Sequence, residues 1–192
     1  MTARTHDLFA FSSISVAVGR GFSPQMSLAT MLVALGVTFV SGLAPDLDES
    51  TSALWKRLPA GSGSILSKVV TPVFGSHRFI SHSLIGTWLF GLLLRHILMW
   101  TQSFLLVDIN IIWWSGILGY GSHLVADSLT REGVPYFWPI PVKFGFPPIS
   151  FFRIKTGGRI EKYIVFPGLL LINAGWIYFH YSIYVAFFRG LK

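Results

Sequence analysis

Histidine and aspartate side chains recur in pairs at four places along the chain. The pairs are His6 with Asp7, Asp46 with Asp48, His77 with His82, and His123 with Asp127. Imidazole nitrogens and carboxylate oxygens without thiolates suit Zn²⁺, Mn²⁺ or Fe²⁺, and the chain contains no cysteine. These residue types therefore predict a site for a divalent metal.

Two of the pairs have a spacing that fits one ligand set. His123 and Asp127 are four residues apart, so on a helix both side chains lie on one face. Asp46 and Asp48 follow Pro45, and in an extended stretch residues i and i+2 point the same way. Each pattern alone is also explained by a helix hydrogen bond or a turn at a helix end. The joint placement of the pairs is what indicates a site.

The elements that carry these pairs are apolar. The 192 residues are 52% hydrophobic and 12% charged, and the mean hydropathy is +0.60. Soluble domains are about 25% charged, so this composition indicates a membrane protein. It excludes a disordered chain, a disulfide-rich secreted scaffold and collagen.

Crossing a bilayer takes about 20 apolar residues. Segments 26–43, 84–100, 109–126 and 163–188 qualify, whereas segment 8–19 is short and could cross, lie in the interface or be a signal sequence. On the face that carries His123 and Asp127, Ser115 and Gly119 are small and predict close approach of another helix. We therefore expect an all-α integral membrane protein, one domain over residues 1–192, with four or five transmembrane helices.

Two long connections separate the spans. Residues 44–81 include two candidate interfacial helices, and residues 128–162 contain five prolines, which is typical of an ordered loop or short strands. If all five segments cross, both connections and the N-terminus share one side with eleven of the fifteen Lys and Arg residues. The positive-inside rule makes that side cytoplasmic. All four His and Asp pairs then lie at the cytoplasmic ends of their spans, where they can meet.

Three motifs carry a family resemblance. PDLD at 45–48, HRFISHSL at 77–84 and HLVADSLTREGVPYFWP at 123–139 resemble the signature of the YdjM-like family. That family is described as LexA-regulated bacterial inner-membrane proteins and predicted metal-dependent hydrolases. Its pattern is an N-terminal His, P-D-x-D, H-R-x-x-T-H-S and H-x-x-x-D-x-x-T-x-x-G-V. The resemblance covers residues 6 to about 140; it departs at Ser81, where the pattern has Thr, and at Glu49, where members often carry a ligand-type residue.

The resemblance implies a bacterial inner-membrane protein with a hydrolytic metal site, which the span topology above places on the cytoplasmic side. A more distant similarity to zinc-dependent phospholipase C and P1-type nucleases points to phosphoester cleavage. We expect one or two ions, zinc above manganese or iron. The expected ligands are His6, Asp46, Asp48, His77, His82, His123 and Asp127.

Roles beyond the ligands can also be assigned. Asp7 or Glu132 could act as general base, and the guanidinium of Arg78 could hold a phosphate oxygen. A site at the bilayer surface favours a lipid or lipid-linked phosphoester as substrate, and no nucleic acid partner is expected because the positive-inside rule explains the basic connections. The alternative is a non-enzymatic transporter or metal-responsive factor. A transporter would place its polar residues near the bilayer midplane, and here they lie at span ends.

Overall fold

The computed structural model describes residues 1–22, 25–59, 62–70, 80–140 and 142–191. Within these ranges every regular element is helical and no β-strand is present, which confirms the all-α expectation. The helices are α1 (Ala3–Gly19), α2 (Leu28–Ser41), α3 (Ala53–Arg57), α4 (Ser62–Val70), α5 (Leu84–Thr101), α6 (Ile109–Ser128), α7 (Phe166–Phe179) and α8 (Tyr181–Arg189). A 3-10 turn (Ala44–Asp48) follows α2, and a π-helical turn (Glu161–Val165) leads into α7.

Helix α6 is the centre of the bundle. It contacts α1, α2 and α5, and ten of its twenty residues are buried. Asp108 caps the start of the helix, and its carboxylate accepts hydrogen bonds from the amides of Asn110 and Ile111 at 2.9 and 3.2 Å. Since α6 packs against three neighbours, its last turns meet the ends of several other elements.

Close contact between α2 and α6 depends on Gly119. A Cβ at this position would lie 2.2 Å from the carbonyl oxygen of Thr38, so no larger residue fits without moving a backbone. Ser115, one turn earlier on the same face, is 5% exposed. The expectation that small residues place this face in the interior is confirmed.

The helix lengths revise the expected spans. Among the described residues, two helices are long and apolar enough to cross a membrane, α5 and the continuous helix Glu161–Phe179. The expectation of one helix over 163–188 is wrong, because the chain breaks at His180 (φ −109°, ψ 20°) and α8 follows as a separate element. Helix α2 has 14 residues, which is about 21 Å against a hydrocarbon core of about 30 Å.

The two long connections lie at the same end of the bundle. The first contains α3 and α4, in agreement with the two short helices expected there. The second is an ordered loop with two isolated bridges, Thr130 with Ile154 and Val134 with Phe144. We call this end of the bundle, where α1, α5 and α7 begin and α2 and α6 end, the site end.

Candidate metal site

Five of the expected ligands converge at the site end. His6 comes from the first turns of α1, Asp46 from the 3-10 turn after α2, His82 from the residues just before α5, and His123 and Asp127 from the end of α6. The three histidines are at most 2% exposed. The Asp46 side chain is 28% exposed, so it forms the open side of an otherwise buried cluster.

The ligand atoms are spaced as around one ion. The Nε2 atoms of His82 and His123 are 3.3 Å apart. Asp46 Oδ1 lies 3.7 Å from each of them, and Asp127 Oδ2 lies 3.6 and 3.5 Å from them. Two ligands that each sit about 2.0–2.2 Å from one ion are about 3–4 Å apart, so all five distances fit a shared cation.

Hydrogen bonds fix the tautomers of both imidazoles. His123 Nδ1 lies 2.8 Å from the Gly42 carbonyl oxygen, which only accepts, so Nδ1 carries the proton. The Ser81 hydroxyl donates to Asp48 Oδ2 at 2.9 Å. It must therefore accept from His82 Nδ1, which is 3.0 Å away. In the neutral rings both Nε2 atoms are then acceptors.

Two Nε2 lone pairs that face each other at 3.3 Å repel unless a cation lies between them. A divalent metal or a proton meets this need, and the nearby carboxylates of Asp46 and Asp127 favour either. Without a metal, burial opposes the charged form of His82, but the nearby carboxylates of Asp127 and Asp46 outweigh burial and raise its pKa to about 9. The donor set and its geometry therefore fit a divalent metal that displaces this proton.

His6 extends the cluster on one side. Its ring stacks on His123 with centroids 3.8 Å apart, and its Nε2 is 3.2 Å from Asp127 Oδ1. Neither ring nitrogen of this buried histidine makes a hydrogen bond within the described ranges. The Met1 amino group also pairs with Asp127 Oδ1, which leaves Oδ2 of Asp127 facing His82 and His123.

Asp46 is held in its ionised form. Burial alone would raise its pKa, but the neighbouring imidazoles of His82 and His123 favour the charged carboxylate and lower the pKa to about 2. The carboxylate is thus available as a ligand throughout the neutral pH range.

Three other expected site residues have different partners or surroundings in the structure. Asp48 Oδ2 accepts a hydrogen bond from the Ser81 hydroxyl. Both carboxylate oxygens of Asp7 accept from Arg57, at 3.0 and 2.5 Å. Glu132 is exposed in the turn that follows α6. His77 and Arg78 lie outside the described residues.

The expected extended conformation for Asp46 and Asp48 is wrong. These residues belong to the 3-10 turn Ala44–Asp48, in which three residues complete a turn. Residues i and i+2 therefore point in different directions. This is why Asp46 faces the two histidines whereas Asp48 faces Ser81.

Comparison with known proteins identifies the family. The sequence profile described as "YdjM inner membrane protein" matches residues 1–190. The chain belongs to the YdjM family. It is similar to "Inner membrane protein YdjM" of Escherichia coli K12, with 29% identity over 164 residues that cover 85% of this chain and 77% of that protein. It is also similar to "Uncharacterized protein YvsG" of Bacillus subtilis 168, with 33% identity over 180 residues that cover 93% and 95% of the two chains.

No solved structure matches this YdjM family member significantly. Its membership in a family of inner membrane proteins supports the membrane location that its composition predicts. The candidate metal-binding cluster thus lies at one end of a helical bundle in a membrane protein.

Sequence reasoning missed several residues that build the site of this YdjM family member. Ser81 orients His82, and its position next to a candidate ligand was a usable signal. Glu161 is 1% exposed and accepts hydrogen bonds of 2.7 Å from the Thr2 amide and from the hydroxyls of Thr2 and Thr5. It therefore ties the start of the π-helical turn to the helix that carries His6.

Arg153 is a second residue whose role only the structure reveals. It lies in one of the two basic connections, yet it is 9% exposed. Its guanidinium donates to the carbonyls of Pro147 and Pro148 at 2.7 and 2.6 Å. Arg153 thus stabilises the connection between α6 and α7 by hydrogen bonds within it.

Proposed function

We propose that this protein is a membrane-bound, metal-dependent hydrolase that cleaves a phosphoester of a lipid or lipid-linked substrate. The observation that carries the proposal is the meeting of two imidazole lone pairs, from His82 and His123, with carboxylate oxygens of Asp46 and Asp127 at 3.5–3.7 Å. A divalent ion bound there, zinc by preference, would polarise the scissile group and lower the pKa of a water molecule.

The chain's own residues prepare this chemistry. The Gly42 carbonyl and the Ser81 hydroxyl hold both imidazoles with Nε2 turned inward. The partly exposed Asp46 marks the side from which a substrate would enter. Arg57 engages both oxygens of Asp7, which argues against Asp7 as the general base. Arg78 remains the proposed partner of a phosphate oxygen.

We further propose that the site end faces the cytoplasm. Eleven of the fifteen Lys and Arg residues lie on that side in the five-span topology, as the positive-inside rule requires. Cysteines introduced at Ser62 and Ser150 should react with an impermeant maleimide only after the cells are opened. Labelling of either position in intact cells would contradict the orientation.

The experiment that tests the function compares purified wild-type protein with His123→Ala and Asp127→Ala on lipid phosphoesters, with and without a chelator. Wild-type activity should be lost in both variants and in the chelator. His96→Ala is the matched control, because this histidine is exposed on α5 and remote from the cluster. Activity that is equal in wild type and both variants, or that survives the chelator, would refute a metal-dependent mechanism.

A second candidate is a structural or regulatory metal in a non-enzymatic membrane protein. It is favoured by the burial of the cluster and by the presence of four protein ligands around one position, since closed four-ligand sites are typically structural. In that case metal removal should lower the unfolding temperature of the wild type, and no phosphoester should be cleaved by the fully loaded protein.

A further inference from the structure

The connection between α6 and α7 exposes several large apolar side chains. Phe146 is 69% exposed, Ile149 62%, Phe151 74% and Phe152 66%. Phe137 and Phe144 are also exposed, and their rings contact each other with centroids 5.3 Å apart. We call these six residues the apolar loop set. Exposed apolar groups of this size in a fixed position indicate a surface that something covers.

The backbone beneath the apolar loop set is firmly held. Val134 and Phe144 exchange two backbone hydrogen bonds of 2.8 and 2.9 Å, and the Phe146 amide donates to the Ser128 carbonyl at 2.8 Å. The buried Arg153 braces the stretch through the Pro147 and Pro148 carbonyls. The exposure is therefore a property of a defined conformation.

The loop is attached where the apolar helices begin. The Leu84 amide, at the start of α5, donates to the Tyr136 carbonyl at 3.0 Å, and the loop ends at the helix Glu161–Phe179. Both helices are long and apolar enough to cross a membrane. In a membrane protein, a loop joined to the starts of both helices lies at the level of the bilayer surface.

Basic side chains accompany the apolar loop set. Arg131, Lys143, Lys155 and Arg159 are exposed between residues 129 and 160, where Glu132 is the one acidic residue. The Arg131 guanidinium lies 6.0 Å from the Phe151 ring centre. Aromatic side chains enter the interfacial region of a bilayer, and neighbouring Lys and Arg attract anionic headgroups. The combination of exposed aromatic and basic side chains is typical of a surface in contact with lipid headgroups and not with water alone.

We propose that the apolar loop set is a docking surface for anionic phospholipid, inserted into the headgroup region of the membrane in which the helices sit. The loop thereby holds the site end flat against the bilayer surface. This proposal does not require the metal site to be catalytic, since it rests on the exposure, attachment and charge of the loop.

The chain has no cysteine, so single cysteines can carry an environment-sensitive fluorophore. We would label Phe146→Cys and Phe151→Cys, with the exposed Thr156→Cys in the following turn as the matched control, in the full-length protein in nanodiscs that contain phosphatidylglycerol. Lipid spin-labelled near the headgroup should quench positions 146 and 151 at least about twofold more than position 156, because side chains in the interface contact lipid directly. Aqueous iodide should show the opposite order.

Equal access of iodide to all three positions, with no preferential quenching by lipid, would overturn the proposal and favour a protein partner that binds this surface.

A charge-reversed variant tests the headgroup preference separately. Lys143→Glu combined with Lys155→Glu should lower the lipid quenching in phosphatidylglycerol nanodiscs and leave it unchanged in phosphatidylcholine nanodiscs. Quenching that is the same in both lipids for the wild-type loop would refute the preference for anionic lipid.

Discussion

Replacement of Ser81 by alanine should weaken metal binding without removing a ligand. The Ser81 hydroxyl is 3.0 Å from His82 Nδ1 and 2.9 Å from Asp48 Oδ2, so it links a carboxylate to a candidate metal-binding imidazole. Without it, His82 loses the acceptor that keeps its proton on Nδ1, and the tautomer with Nε2–H becomes accessible. That tautomer must be converted before Nε2 can bind an ion.

The size of the effect follows from the position of Ser81 behind the ligand. Loss of such an orienting hydrogen bond costs about 10–100-fold in metal affinity, which is about 1.4–2.7 kcal/mol. The assay is titration of metal-free protein in detergent with Zn²⁺, in competition with a chromophoric chelator. The dissociation constant of Ser81→Ala should exceed that of the wild type by this factor.

Ser122→Ala provides a closely matched control. Ser122 also precedes a candidate ligand, His123, and is 8% exposed, as is Ser81. Its hydroxyl donates to the Gly119 carbonyl of its own helix at 2.7 Å. Metal affinity should therefore change little. Equal affinities of the two variants would refute the orienting role of Ser81, and no zinc binding by the wild type would refute the metal site.

Three further outcomes follow from the structure. The metal-free protein should lose stability as pH rises from about 6.5 to about 9, because the raised pKa of His82 makes protonation of this residue stabilising below that window. Zinc affinity should strengthen over the same pH window. Thermal unfolding with and without zinc measures both effects. Glu161→Gln should lower the free energy of unfolding by about 1.5–3 kcal/mol, since it disrupts hydrogen bonds to a buried charge. Asp7→Asn, at a partly exposed ion pair, should lower it by less than about 1 kcal/mol. Gly119→Ala should lower the free energy of unfolding by about 1–3 kcal/mol through overpacking, whereas Gly121→Ala, with open space at its Cβ, should leave it unchanged or raise it by up to about 1 kcal/mol. Denaturant unfolding measures the Glu161 and Asp7 variants as one pair and the Gly119 and Gly121 variants as another. Equal effects within a pair would contradict the argument made for that pair.

The sequence alone determined which kinds of residue could form a site and which ends of the helices would carry them. The lengths of the apolar segments predict where the helices run. Consecutive helices that run antiparallel place every second connection, and the helix ends next to it, on the same side of the bundle. The spacing of His123 and Asp127 places both side chains on one face of α6, whatever the rest of the fold does. The small residue Gly119 likewise predicts the interior face from local geometry alone.

Only the tertiary structure decided how the site is assembled. The 3-10 turn after α2 separates Asp46 from Asp48, and a pattern of two carboxylates cannot reveal whether its backbone is extended or turned. The tautomers of His123 and His82 depend on the Gly42 carbonyl and on Ser81. Of these, Gly42 is distant in sequence from the imidazole that it orients, so its hydrogen bond exists only because α2 and α6 approach closely at Gly119.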